Sequence, residues 1–473
     1  MKKYFCLALF FLLSFSSVLG EAGTPPAFAD PHDLRYPQLN FQPPGAERVV
    51  LKNGMILYVL EDHELPLINV YGVTRTGSYF DPEGKEGLAE LTAMVMRTGG
   101  TAAYSGSAID EELEFLAVNL HISAQVEATS LGFSSLKATL DKGLGILAQT
   151  LMQPVFAEDK LQLAKSLKIE ELKRIADDPQ QLAFREFNRI FYRGDPRGRL
   201  ASVRSVNKVE RSDLSQFHQR FFNPDQMMMA VTGNITKEEA LALWEKYFGA
   251  WQKQGSKAEI PPPAAKFTGV ISHIPKDIPQ SVVITGRYAP ARGIADFYSF
   301  TVLDFVLGSG GFTSHIFQEI RTNQGLAYSA GSFYRAKSDY GVFGTYGLTK
   351  SASTGQVLSL LRSIVERASR QSVSAKELIW ARNSINNSFL FSFSSTEQIA
   401  RQQLMLEFEN LPSDYLTKYR ERIQSVDIDD LNKVAKKYLS DDNTVTLVLG
   451  QEDVFDSLPS PPAKIEKLPV NHD

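Results

Sequence analysis

Few residues of this 473-residue chain combine the type and spacing that catalysis requires. The two histidines nearest each other, His32 and His63, are 31 positions apart, so no helix presents two imidazoles to a metal. The glycines of Gly308–Gly311 lead into Phe312, without the Gly-Lys-Ser/Thr that ends a phosphate-binding loop. The serine-rich run Ser388–Ser395 contains no Gly-x-Ser-x-Gly elbow, so nucleophilic catalysis is not indicated.

The glycine-led run that starts at Gly308 also contains an arginine and a tyrosine. Arg321 and Tyr328 are separated by six residues within the run that starts at Gly308. A guanidinium and a phenol are hydrogen-bond donors that can stabilise an oxyanion or hold a peptide carbonyl. The alternative is that Arg321 forms a structural salt bridge and Tyr328 is a core aromatic residue with a satisfied hydroxyl.

A second informative stretch is Gly87–Thr101. A turn-like run, Gly84–Gly87, precedes it, and Gly99–Gly100 lie near its end. Apolar residues recur between them at helical spacing, namely Leu88, Leu91, Met94 and Val95. The pattern predicts one short buried helix with glycines at both ends.

This framed helix resembles the signature helix of the insulinase, pitrilysin and mitochondrial processing peptidase family, which carries the inverted zinc motif His-x-x-Glu-His. In that resemblance the two ligand positions hold Glu90 and Met94, and the general-base position holds Ala93. Alanine has no ligand atom, a thioether is a poor zinc ligand, and no carboxylate is present to activate water. The third ligand position corresponds to Glu171, for which a solvated or salt-bridged helix carboxylate is the alternative. The resemblance therefore implies a degenerate zinc motif and no metal in this chain.

The resemblance also covers Arg321 and Tyr328. In that family an Arg and a Tyr at this spacing complete the active site across the cavity from the zinc, and two-chain members place them in the subunit that lacks zinc. It thus implies a non-catalytic, substrate-binding subunit of a heteromeric zinc-dependent peptidase, with zinc in a paralogous partner subunit and a peptide or unfolded protein as substrate. Two alternatives stay open. One is a zinc-less scaffold or binding protein with no proteolytic role, and the other is a homomeric peptidase that holds zinc with Glu90 and Glu171.

The order of predicted elements indicates an internal duplication. Val209–Leu214 matches Val426–Leu431 at an offset of 217 residues, and Gly233 and Gly450 stand at the same offset. Blocks of strands and helices predict an α+β fold of two homologous halves, each a mixed, partly antiparallel sheet with helices. The family resemblance implies that the halves form a clamp. The strand at Met227–Val231 is expected at a sheet edge.

The chain divides into segments by composition. Residues 1–20 read as a signal peptide, with Lys2 and Lys3 before the apolar run Tyr4–Leu13. We therefore expect export, to a bacterial periplasm. The further predicted segments are a leader at 21–45, a first peptidase-like domain at 46–254, a linker at 255–266, a second peptidase-like domain at 267–458 and a tail at 459–473.

The overall composition is that of an ordinary globular protein. The net charge is −4 and 43% of residues are hydrophobic, which gives no indication of a nucleic-acid partner. Cys6 is the one cysteine and lies inside the predicted signal peptide, so the mature chain is expected to have no disulfide. No later apolar stretch has the length of a membrane span.

Overall fold

Two six-stranded sheets form the centres of the two halves in the computed structural model, which describes residues 44–254, 259–264, 267, 269–440, 443–455 and 464–469. The predicted signal peptide, nearly all of the predicted leader, and parts of the linker and tail lie outside the described residues. None of the described helices has the length and apolar character needed to cross a membrane.

The first half begins with an antiparallel hairpin, β1 (Glu47–Val50) and β2 (Ile56–Glu61). Its turn needs Gly54, which has φ +91° and where a Cβ would lie 2.9 Å from the Asp225 side chain. The elements that follow are β3 (Leu67–Thr74), α1 (Leu88–Thr98), α2 (Gly106–Phe115), β4 (Asn119–Ala124), β5 (Thr129–Leu136), α3 (Leu140–Met152), α4 (Glu158–Ile175), α5 (Pro179–Phe191), α6 (Val203–Lys208), α7 (Arg211–Phe221), β6 (Met227–Gly233) and α8 (Lys237–Phe248).

The second half repeats this order, as the duplication predicts. Its elements are β7 (Ile271–Pro275), β8 (Gln280–Ala289), α9 (Asp296–Asp304), β9 (Ala327–Ala336), β10 (Gly341–Lys350), α10 (Thr354–Arg370), α11 (Ala375–Leu390), α12 (Thr396–Phe408), α13 (Tyr415–Ser425), α14 (Ile428–Leu439), β11 (Val445–Gly450) and β12 (Ile465–Lys467). Two π-helical turns, Phe305–Ser309 and Phe317–Asn323, lie between α9 and β9. Helices α4, α5 and α7 begin 217 residues before α11, α12 and α14, so the offset holds across each half.

The two sheets have matching strand orders, β1-β2-β6-β3-β5-β4 and β12-β7-β11-β8-β10-β9. Both are mixed, because β6 runs parallel to β2 and antiparallel to β3, and β11 runs parallel to β7 and antiparallel to β8. The edge position predicted for Met227–Val231 is wrong, since every residue of β6 is buried between β2 and β3. An uninterrupted apolar run is typical of such an interior strand, covered on both faces.

Each half places one helix on the sheet of the other half. Asp178 caps α5 by accepting hydrogen bonds from two amides, and Pro179 occupies its first turn, so the chain leaves α4 in a new direction. Phe187 and Phe191 of α5 pack into the core of the second sheet. Helix α12, the repeat equivalent of α5, packs against β6 and β2 of the first sheet. The two halves therefore share their cores and form one compact unit.

A buried arginine joins the halves where they meet. The side chain of Arg197 is 2% exposed, and its Nε donates to Glu127 Oε1 at 2.6 Å. The same guanidinium donates to the linker carbonyl of Pro261 at 2.6 Å and lies over the ring of Tyr340 at 5.1 Å. Tyr340 in turn donates its hydroxyl hydrogen bond to Glu127. This junction ties the first half, the linker and the second half together.

Candidate functional site

The predicted helix over Gly87–Thr101 is α1, and a buried aspartate fixes its start. Gly87 precedes the helix with φ +102°, in the left-handed region, and a Cβ there would come within 3.3 Å of two side chains. The carboxylate of Asp81 accepts hydrogen bonds from the amides of Gly87 at 2.7 Å and Ala89 at 2.9 Å. Burial raises the pKa of Asp81 to about 7, against the opposing effect of these two donors. Asp81 therefore positions the helix that carries the degenerate motif.

The three motif positions on α1 have different surroundings. Ala93 is buried and belongs to the core of the first half. Met94 is half-buried and packs against that core, so its thioether serves as an apolar side chain. Glu90 is half-buried and faces α4. Of these positions, only 90 presents a charged oxygen ligand.

A lysine of α4 lies between the two carboxylates that stand at zinc-ligand positions, Glu90 and Glu171. The ammonium of Lys168 pairs with Glu90, and its Nζ is 3.0 Å from Glu171 Oε1. The Lys168 side chain is 9% exposed, and burial acts to lower its pKa. The charges and hydrogen bonds of Glu90 and Glu171 outweigh burial, so the pKa of Lys168 is raised and the ammonium stays charged. We call these three residues the carboxylate–ammonium cluster.

The carboxylate–ammonium cluster does not fit a hydrolytic zinc ion. Its two carboxylates already share one ammonium as their charge partner, and the general-base position is a buried methyl group. Within the part of the chain that the structure describes, no three His, Cys, Asp or Glu side chains form a group able to hold a metal. No step of a zinc-dependent reaction can therefore be assigned to this site.

Glu90, Lys168 and Glu171 line a cavity of about 650 Å³ between the two halves. The first half contributes residues from Arg75 to Ala201, and the second contributes Arg335 to Val342 and Met405 to Glu409. The cavity wall is strongly charged. Its cationic side chains are Arg75, Lys168, Arg185, Arg197, Arg199, Arg335 and Lys337, and its acidic ones are Asp81, Glu90, Glu127, Glu171, Asp339 and Glu409.

Arg321 and Tyr328 lie elsewhere and are exposed. Arg321 lies in the second π-helical turn, with its guanidinium over the Phe317 ring at 4.8 Å, and it forms no ion pair with the described residues. Tyr328 is 55% exposed near the start of β9, the edge strand of the second sheet. Between them Gly325 makes the turn with φ +63°. Neither side chain lines the cavity beside the carboxylate–ammonium cluster.

The structure agrees with the alternative role of Glu171 but not with the alternative roles of Arg321 and Tyr328. Glu171 is salt-bridged on a helix, as its alternative interpretation has it. No carboxylate among the described residues pairs with Arg321, so it forms no structural salt bridge there. Tyr328 is exposed and is therefore not a core aromatic residue. The exposed guanidinium on the π-helical turn and the exposed phenol near the start of β9 can both donate to a group outside this chain.

Lys168 is the residue of this region that sequence reasoning missed. A signal for part of its role was present, because Lys168 precedes Glu171 by three positions on a predicted helix, a spacing that places both on one face. Its pairing with Glu90 joins α4 to α1, across 78 positions of sequence, and has no local signature. Asp81 was also missed, although its two hydrogen-bond donors lie only six and eight positions further along the chain.

Within the described parts of the chain, the histidines form no common metal site. His32 and His472 lie outside the described residues. His218 is buried, with its Nε2 2.7 Å from the carbonyl oxygen of Leu151, and burial lowers its pKa. His315 Nε2 lies 2.6 Å from a carboxylate oxygen of α11. These environments are those of satisfied side chains.

Comparisons with known proteins agree with the geometry. Residues 69–202 match the family model described as insulinase (peptidase family M16), and residues 208–385 match the model described as peptidase M16 inactive domain. A protein of Rickettsia felis described as an uncharacterized zinc protease is 25% identical over 415 residues, which cover 85% of this chain and 97% of that protein.

Solved structures share the fold. A peptidase M16 inactive domain from Pseudomonas fluorescens superposes with a TM-score of 0.78 at 23% identity, covering 86% of this chain and 98% of the other. The periplasmic protease PqqL from Escherichia coli superposes with a TM-score of 0.73 at 16% identity, covering 91% of this chain and 49% of PqqL. At these identities the likeness supports the two-halved fold alone.

Proposed function

Since the chain belongs to the insulinase family of peptidases, family M16, we propose that it is the non-catalytic, substrate-binding subunit of a heteromeric zinc-dependent peptidase. The observation that supports this function is the contrast between two sites. Glu90 and Glu171, at two of the zinc-ligand positions, are already paired with Lys168, whereas Arg321 and Tyr328 are exposed donors on a different surface.

In this function the zinc ion belongs to a paralogous partner subunit, and this chain contributes two donors. Arg321 and Tyr328 donate hydrogen bonds to the oxygen of the scissile peptide carbonyl. These bonds strengthen as negative charge develops on that oxygen, so they stabilise the transition state more than the bound substrate. The partner's zinc would supply the activated water, because the described residues of this chain provide neither the ligand set nor the base for it.

The proposed place of action is the bacterial periplasm. The predicted signal peptide at residues 1–20 supports export, and one structural relative, PqqL, is described as a periplasmic protease. Fractionation of cells that produce the full-length chain tests this directly. We expect the chain in the periplasmic fraction, shortened by about 20 residues; retention in the cytoplasm at full length would contradict it.

The test of the function is co-expression with a paralogue that carries an intact His-x-x-Glu-His motif, sought first in a neighbouring gene. We expect the two chains to co-elute in size exclusion and to cleave an unfolded peptide that neither chain cleaves alone. An extensive interface is expected for such a stable pair. If the chains elute separately and the paralogue is fully active alone, the zinc-less scaffold or binding function replaces this proposal.

Metal content is a second readout on the same samples. Elemental analysis after dialysis is expected to find no stoichiometric zinc in this chain alone and about one zinc per co-purified pair. About one zinc in the isolated chain, lost in Glu171→Ala, would instead assign metal binding to the carboxylate–ammonium cluster.

A further inference from the structure

The cavity between the two halves is lined by seven cationic and six acidic side chains. Its acidic side chains are nearly all engaged within the protein. Glu90 and Glu171 pair with Lys168, Glu127 pairs with Arg197, and Asp81 caps α1. Glu409 pairs with Arg292, which lies outside the cavity lining, at 2.6 Å. Asp339 is the remaining acid, and it is exposed.

Four arginines of the cavity wall have no carboxylate partner among the described residues. Arg75 donates to the carbonyl of Phe408 and stacks on its ring, with 4.6 Å from the guanidinium carbon to the centroid. Arg335 lies over the Phe333 ring at 5.1 Å. These contacts orient each guanidinium through its face or one nitrogen and leave most of its five N–H donors unused.

The other two arginines bind backbone carbonyls beside α1. Arg185 donates to the carbonyl of Ala201 at 2.5 Å, and Arg199 donates to that of Asp81 at 3.0 Å. Burial lowers the pKa of Arg185, since no carboxylate is close enough to compensate fully. A partly buried cation without a counter-ion is costly, and an external anion would relieve that cost.

We propose that this cavity binds an acidic peptide segment, whose carboxylates pair with Arg75, Arg185, Arg199 and Arg335. A guanidinium fork matches a carboxylate with two parallel hydrogen bonds, so arginines suit this ligand. The arginines come from both halves, which favours a ligand with several spaced carboxylates over a single small anion. Apolar side chains between them provide surface for the rest of the peptide, namely Leu172, Ile175, Leu200, Val342 and Met405.

The volume fits this class of ligand. A cavity of about 650 Å³ lies within the range of sites that enclose most of a drug-sized molecule, and a few peptide residues have that size. The inference rests on the proposed function only in treating the ligand as a substrate of the assembly. Binding itself is a property of this chain alone.

The experiment measures fluorescence anisotropy with three labelled octapeptides that alternate serine with glutamate, glutamine or lysine. The mature chain is used without a partner and without zinc. We expect saturable binding of the glutamate peptide at least about 10-fold tighter than that of the glutamine peptide, with the lysine peptide weakest. Added salt is expected to weaken the glutamate complex, because the charges lie near solvent.

Two exposed arginines provide the variants, so that folding is preserved. Arg335→Gln and Arg199→Gln are each expected to weaken glutamate-peptide binding about 10-fold at an unchanged melting temperature. Arg370→Gln is the control, because Arg370 is 74% exposed on α10 outside the cavity and the charge change is the same. The double variant Arg335→Gln/Arg199→Gln is expected to bind the glutamate peptide more weakly than either single variant.

Three results would overturn the inference. The first is equal binding of the glutamate and glutamine peptides, and the second is equal effects of Arg335→Gln and Arg370→Gln. The third is displacement by citrate at the same concentration as the peptide, which would assign the site to a small polycarboxylate. None of these results bears on co-elution or cleavage with the zinc-bearing partner, so the proposed function stands or fails separately.

Discussion

The carboxylate–ammonium cluster and the Arg321–Tyr328 pair are opposite in how their polar groups are satisfied. Lys168 is 9% exposed and held between two carboxylates of the same chain. Tyr328 is 55% exposed, and Arg321 has an aromatic ring as its neighbour. Groups whose charges are neutralised internally stabilise a fold, whereas exposed donors are available to a ligand. The comparison shows that the retained glutamate of the degenerate motif, Glu171, forms an ion pair within this chain.

The largest effect is expected from Tyr328→Phe in the reconstituted pair. This change removes one hydroxyl and keeps the ring, so the donor to the developing oxyanion is lost while folding is preserved. Turnover is expected to fall about 100- to 1,000-fold. The measurement is peptide cleavage and melting temperature on the same preparations.

The control for Tyr328→Phe lies on the same strand. Tyr334 donates its hydroxyl hydrogen bond to the carbonyl of Pro290 at 2.6 Å, so Tyr334→Phe is expected to cost about 1 kcal/mol of stability and to leave turnover unchanged. Arg321→Lys should also reduce turnover, because an ammonium does not reproduce the planar fork. If the Tyr328→Phe pair cleaves like wild type and Arg321→Ala lowers the melting temperature, both sites have a structural role and the contrast between them is contradicted.

A pH effect is expected on the side of the degenerate motif, through Asp81. Its pKa is about 7 in the folded chain against 3.8 as the ordinary value, with Glu86 and Glu90 reinforcing burial. Between these values the folded chain keeps a proton that the unfolded chain releases. This contribution to stability is therefore complete below about pH 4 and is lost as the pH rises towards 7, by at most about 1.4 kcal/mol per pH unit.

The measurement is urea unfolding from pH 4 to 8 for wild type and for Asp81→Asn. The variant cannot titrate at this position. The stability of wild type relative to the variant should therefore fall with rising pH and level off above pH 7. The variant also loses one of the two acceptors for the amides of Gly87 and Ala89, which changes its free energy of unfolding by an amount that does not depend on pH. A difference that is independent of pH would show that Asp81 is ionised in the folded chain across this range.

The smallest effect is expected from Lys168→Met, which leaves Glu90 and Glu171 without their shared cation. We expect a loss of about 2 kcal/mol in the free energy of unfolding, below the value for a fully buried pair because both carboxylates reach solvent. Lys173→Met is the matched control on the same helix. Its pair with Glu170 is exposed and should cost about 0.5 kcal/mol or less.

Adding Glu90→Gln to Lys168→Met sharpens this test, because it removes one of the two charges left facing each other. Part of the lost stability should return in the double variant, which a double-mutant cycle in urea measures. If Lys168→Met and Lys173→Met cost the same, the carboxylate–ammonium cluster is an ordinary surface ion pair.

Local sequence patterns predicted much of the fold. The helix predicted over Gly87–Thr101 is α1 (Leu88–Thr98), because its helical periodicity and its glycine boundaries lie within the segment itself. The duplication was also evident in the sequence, since equivalent elements recur at one offset. The edge position of Met227–Val231 was wrong, because a strand's neighbours depend on segments remote in sequence.

For the candidate site, sequence established which side chains are absent. Ala93 and Met94 exclude the zinc motif whatever the fold, since neither provides an imidazole or a base. Tertiary packing decided the rest. Only the contact of α1 with α4 brings Lys168 to Glu90, and only the exchange of α5 and α12 between the halves shapes an arginine-lined cavity. Those contacts join residues far apart in the chain, and periodicity and capping report only on neighbours within a helix or strand.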